Sequence, residues 1–181
     1  MTSAPTLAPT DMWPAFTTHS DTDVVIAAVS LTRLVGWCGT PCVHTADAVI
    51  PNSGGRPSES DLASVVIARV ISVEWRSDLG LHAVIDADLS GCQPLLAQAR
   101  LMGRTSPRSS TVVILKSQAS SPEGYAALLP ADLSVGDLIV VPCTGVSVLH
   151  AVKVPSATPS DGADGYSSVI TSRAAVSNSG A

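Results

Sequence analysis

The stretch Asp61–Leu89, DLASVVIARVISVEWRSDLGLHAVIDADL, constrains this chain more than any other. Two apolar-rich runs flank a polar break, Arg76–Gly80, whose Ser, Asp and Gly each favour a turn for a different physical reason. In the first run Val65, Ile67, Ile71, Val73 and Trp75 alternate with Val66, Ala68 and Val70, so both faces are mainly apolar. A strand of that kind belongs in a sheet covered on both sides. The return run alternates more cleanly. His82, Val84, Asp86 and Asp88 share one face, and Ala83, Ile85, Ala87 and Leu89 share the other. The pattern predicts a β-hairpin at the middle of a sheet.

The flanking sequence supplies further strands. Asp23–Leu34 reads as a buried strand, Ala46–Ile50 as a short one within a long loop, and Thr111–Lys116 as another. Leu138–Val141 is a strand limited by Pro142, which cannot donate to a ladder. Thr144-Gly145 then turns the chain into the alternating run Val146–Val154. Ser58–Leu62 reads as a single helical turn. The one substantial helix is expected over about residues 91–102, with Pro94 at its first position, Gly103 at its stop, and Leu95, Leu96, Ala99 and Met102 on one stripe. The expected fold is mainly β, a β-barrel or β-sandwich of about six to eight strands with that short helix. Residues 1–20 form an extended N-terminal arm, 21–155 the β-rich domain, and 156–181 a Ser/Gly/Pro-rich C-terminal tail.

Composition narrows the function. Charged residues make up only 14% of the chain, against roughly 25% in an average globular protein. A weakly charged surface offers little repulsion against close neighbours, which suits an assembled protein. The net charge of −5 opposes nucleic acid as the main partner, since a phosphate backbone calls for a basic stripe. Arg100, Arg104 and Arg108 are the only basic cluster, read as a solvated edge with a phosphate or acidic-partner contact as the alternative. No run approaches the ~20 apolar residues of a membrane helix. The start MTSAPTLAPT has neither the basic beginning nor the apolar core of a secretion signal. A virion location is therefore expected, or a cytoplasmic one, with reduced cysteines.

Four motifs could carry chemistry. Cys38 and Cys42, in WCGTPC, resemble the thioredoxin-type redox motif, but three residues separate them instead of two and no helix is expected after them. Cys38, Cys42 and His44 are also candidate metal ligands, with Cys92 or Cys143 as a fourth. His82, Asp86 and Asp88 share a strand face and could bind a metal or exchange protons, although a solvated face explains them as well. Asn52-Ser53-Gly54-Gly55 resembles the nucleophile loop of chymotrypsin-type serine proteases, but His44 lies too close upstream and no room exists for a first barrel.

No motif here specifies a reaction, so the chain is expected not to be an enzyme and to use no cofactor. The leading expectation is a structural protein of a large symmetric assembly, most simply a viral capsid or capsid-decorating protein. Its partners would be copies of itself and other proteins of the assembly. Trp13 and Phe16 in the N-terminal arm are the expected inter-subunit contacts, although such side chains can equally anchor an arm to its own domain. The alternatives are a small Cys/His metalloprotein or enzyme, and a barrel-type protein-binding module.

Overall fold

The expected hairpin is real, and its first arm is longer than the apolar run suggests. In the computed structural model, which describes residues 9–77, 80–118 and 124–154, Pro57–Arg76 is a single strand of 20 residues. Among the described residues the elements run β1 (Thr17–His19), β2 (Val24–Ile26), β3 (Val29–Ser30), α1 (Leu31–Cys38), β4 (Cys42–Val49), β5 (Pro57–Arg76), β6 (Gly80–Ile85), β7 (Arg100–Met102), β8 (Ser110–Ser117), β9 (Tyr125–Pro130), β10 (Leu138–Cys143) and the single turn α2 (Leu149–Val152). The main sheet has the order β7-β10-β5-β6-β8-β9, with β4 also paired to β5. β9 returns against β7, which nearly closes the sheet into a barrel. A separate small sheet, β1-β2-β3, packs beside it.

β5 explains the arrangement. Its first half pairs with β4 and β10, and beyond a register shift between Val70 and Ser72 its second half pairs with β6. Val66, Ala68 and Val70 face the barrel interior with Leu81, Ala83, Ile85, Val113, Leu115 and Leu129. Val65 and Ile67 face the opposite way, into a second core with Trp13, Val24, Ile26, Leu31, Val35 and Met102. Each fully buried Val or Ile contributes about 1.5–3 kcal/mol. The two-faced apolar run is thus the wall between two cores. The parallel pairing of β6 with β8 makes the sheet mixed.

Four expectations are corrected. Asp23–Leu34 is not one strand. The Asp23 carboxylate accepts from Val24 N (2.9 Å), Ser30 Oγ (2.5 Å), Thr32 N (3.0 Å) and Thr32 Oγ1 (2.7 Å). Those bonds fold the segment into the β2–β3 hairpin and start α1, whose cap is completed by Ser30 Oγ accepting from Arg33 N. Ser58–Leu62 is strand, drawn into the β4–β5 ladder. The helix over 91–102 does not form. A single 3₁₀ turn covers Leu96–Gln98, while Leu95 N donates to Pro142 O at 2.8 Å and β7 pairs with β10. Pairing with β10 outweighs local helix propensity there. Finally, Val146–Val154 is not a strand. Val146 and Val148 point to solvent, and the segment is held by Ser147 N donating to Ser64 Oγ and by α2, whose Val152 O accepts from Asp88 N. The one helix of more than a turn among the described residues is α1. The tail at 156–181 and residues 1–8 of the arm lie outside the described residues, whereas 9–20 are folded against the domain.

Candidate functional site

The loop between β7 and β8 is built around Arg104. Its Nε donates to Asp137 Oδ1 (2.7 Å) and its Nη2 to Asp137 Oδ2 (2.6 Å) and to Asp132 O (2.9 Å). Its Nη1 donates to Asp132 Oδ2 and to Thr105 O, both at 3.3 Å. Every N–H of this guanidinium is therefore occupied. Burial pushes the Asp137 carboxyl up, but the bonds and charge of Arg104 and the bonds from Ser134 outweigh it and hold Asp137 below its ordinary value. Asp132 is held low by Ser106 Oγ, which donates to it at 2.5 Å, and then by Arg104. Ser106 Oγ in turn accepts from Arg108 N at 3.1 Å. Bonds from Val70 N to Asp137 O and from Gly136 N to Val70 O tie the acidic turn to β5. The loop is thereby fixed to the barrel wall.

Above it lies an open cavity of about 540 Å³, lined by Arg100, Arg104, Arg108, Asp21, Thr105 and Ser110 among others. Arg100 also lines a neighbouring cavity of about 420 Å³ with Trp13, Phe16, Thr17, His19, Gly54 and Gly55. The two cavities share that one guanidinium. His19 packs edge-on against Trp13, with ring centroids 4.7 Å apart. Burial, and then the charge of Arg100, hold its imidazole below the ordinary value.

The residues singled out by sequence are distributed unevenly around these features. Trp13 is 4% exposed and sits in the second core, so it anchors the arm to its own domain. Phe16, three residues on, is 65% exposed. The Cys38 and Cys42 thiols interact, but Cys38 ends α1 and Cys42 begins β4. They sit at a helix C-terminus, where no N-terminal dipole stabilises a thiolate. Burial, and then Cys38, push the Cys42 thiol up. His44 does not join them in a metal site. Its Nε2 is buried without a partner, and among the described residues no group of three His, Cys, Asp or Glu side chains could hold a metal. His82, Asp86 and Asp88 likewise form no metal-holding group among the described residues. Asp86 accepts from Thr40 Oγ1 (2.6 Å) and Arg69 N (2.7 Å), Asp88 from Ser90 N (2.9 Å), and both ring nitrogens of His82 are buried without partners.

Two features escaped the sequence reading. One is the clamp of Asp132 and Asp137 on Arg104, of which the spacing Asp132…Asp137 after a basic cluster was the available signal. The other is the pairing of the Cys92 and Cys143 thiols, brought together where Pro94 bridges to Cys143. The hydrogen bond with Cys92, and burial, push the Cys143 thiol up.

No family model and no curated protein matches the sequence. Two solved structures are similar to part of the chain. One is the arginine decarboxylase of Paramecium bursaria Chlorella virus bound to agmatine, similar at 20% identity and a TM-score of 0.36 over 45% of this chain and 24% of that one. The other is a diaminopimelate decarboxylase, similar at 16% identity and a TM-score of 0.33 over the same shares. The chain spans about a quarter of the length of each. This corrects one expectation. Both structures are enzymes, and the expectation of a non-enzyme is withdrawn. At these TM-scores neither the activity nor the substrate of either protein carries over to this chain. No helix among the described residues is long and apolar enough to cross a membrane.

Proposed function

We propose that this chain works by association, as a β-barrel domain that builds an assembly from copies of itself and neighbouring proteins. Phe16 is the observation that carries the reading. Its side chain is largely in solvent and its φ is +58°. Bulky side chains rarely occupy that region, and holding one there costs about 1–3 kcal/mol. An exposed phenyl ring returns little of that cost within its own domain. A ring seated against a second copy does, because its apolar area leaves water. The cavity beside Phe16 offers such a seat. Val112 and Leu128, paired across β8 and β9, add a second outward apolar spot, 54% and 53% exposed. A capsid or capsid-decorating protein is the form of assembly that the low charge favours. The barrel-type binding module is the second reading, and the same exposed ring would serve it with a different protein opposite.

The test is native mass by sedimentation velocity, with Phe16→Ser and Trp13→Ala compared. The wild type is expected at a multiple of 18.4 kDa. Phe16→Ser is expected to move toward the monomer with unchanged thermal stability. Trp13→Ala is expected to lose about 3–5 kcal/mol of folding stability, as a buried aromatic does. A wild type that stays at 18.4 kDa at high concentration sinks the self-assembly reading. Capture of a different protein through Phe16 would then favour the second.

A further inference from the structure

We infer that the cavity between β7 and the β7–β8 loop is a binding site for a phosphate-type oxyanion, held between Arg100 and Arg108. The argument starts from a contrast among the arginines that line it. Arg104 has no N–H to spare, so it is a structural post. Arg100 and Arg108 are the reverse. Among the described residues neither guanidinium has a hydrogen bond or an ion pair, yet both line the same polar cavity. A guanidinium fork matches the spacing of oxyanion oxygens, and such bonds are roughly twice as strong as neutral ones.

The backbones that carry the pair are fixed in advance. Arg100 sits on β7, where it pairs with Val140 of β10. The Arg108 backbone N–H is bound to Ser106 Oγ, which is bound to Asp132, which is bound to Arg104. Little ordering of the main chain is then left to oppose binding. Thr105 and Ser110 add hydroxyls to the wall. His19 stands close enough to Arg100 for its charge to add to burial, the larger cause, in lowering the imidazole. The opposing group is Asp21, the one carboxylate on the lining, which makes no ion pair among the described residues. The Arg104 clamp adds one guanidinium and two carboxylates, so the local charge balances, and what favours an anion is that the donors of Arg100 and Arg108 are free while Asp132 and Asp137 are engaged. The volume accommodates a phosphate with room for an ester group, so the bound species is free phosphate or a small phosphate monoester.

The test is a titration of the full chain with inorganic phosphate at constant ionic strength, followed by backbone amide NMR shifts, and repeated with glycerol phosphate. Saturable shifts at Arg100, Thr105, Arg108 and Ser110 are expected. Tighter binding of glycerol phosphate assigns an ester, and equal or weaker binding assigns free phosphate. Arg100→Gln and Arg108→Gln should each weaken binding about tenfold, from the loss of charged hydrogen bonds. Asp21→Asn should strengthen it. Arg33→Gln, on the exposed face of α1, removes the same charge elsewhere and should change nothing. Both cavity arginines are exposed, so their variants should fold as the wild type does. Absence of saturable shifts in the wild type overturns the inference, as does equal weakening by Arg33→Gln.

Discussion

Replacing Arg104 with Met tests whether its clamp is what fixes the β7–β8 loop. The substitution keeps most of the aliphatic length and removes every bond the guanidinium makes to Asp137, Asp132 and Thr105. Asp137 is left 8% exposed with only the Ser134 N–H and hydroxyl as partners. Deleting one partner of a buried pair costs about 3–5 kcal/mol. Arg104 keeps 33% of its side chain in water, which screens the interaction, so the lower end, about 3 kcal/mol, applies. For a chain of this size that is a fall of roughly 6–12 °C in Tm. The pH dependence follows from the depressed pKa of Asp137. A carboxyl held below its unfolded value adds stability that is present above ~3.9 and is lost as pH falls through the folded value. Without Arg104 that contribution goes, so the variant should be most destabilised near neutral pH and approach the wild type in acid. Urea unfolding at several pH values reads both effects. A loss under ~1 kcal/mol at neutral pH, or a loss that does not shrink in acid, would show that the clamp is incidental.

Two further outcomes are expected. Asp23→Ala, which removes the acceptor for four donors, should cost about 2 kcal/mol or more by urea unfolding, while Asp23→Asn, which keeps one carbonyl oxygen, should cost less. In native protein treated with iodoacetamide, peptide mass analysis should find exposed Cys38 alkylated first, with buried Cys42 and Cys143 reacting only as the chain unfolds; equal rates at Cys38 and Cys143 would contradict the Cys92–Cys143 pairing.

What sequence revealed of this fold depended on how far each segment's partners lie. The β5–β6 hairpin was legible because its pattern is local: both faces apolar in one arm, strict alternation in the other, a turn between. Its unusual cause, a strand shared by two cores, was implicit in Val65 and Ile67 alternating with Val66 and Ala68. The segment 91–102 misled for the opposite reason. Its stripe of Leu95, Leu96, Ala99 and Met102 does become partly or fully buried, but as a strand and a 3₁₀ turn against β10. Nothing in the segment itself states that Leu138–Val140 will be its neighbour. Asp23 shows the same limit at short range, since a carboxylate that organises a hairpin and a helix start looks in sequence like any polar residue before a strand.

The candidate site was only half legible, because its chemistry depends on which arginine is already engaged. Read in sequence, Arg100, Arg104 and Arg108 are equivalent: three cations four residues apart. With Arg100 on the expected helix and Arg104 and Arg108 on its exit loop, a solvated edge was the favoured reading. What separates them is the pairing that the folded chain gives each one. As a strand, a clamped loop residue and a loop end, they acquire different roles. Arg104 turns inward to two acids that lie 28 and 33 positions away. Arg100 and Arg108 are left on the cavity wall with their donors free. Phe16 divides from Trp13 by the same logic. Both are large apolar residues of one arm, but β5 and α1 provide a core that takes Trp13, and the left-handed backbone at Phe16 turns the next ring outward. If Phe16→Gly raises folding stability, as relief of a strained φ requires, while lowering native mass, then the strain is maintained for association and not for the fold; a fall in stability would place the ring's benefit inside its own domain.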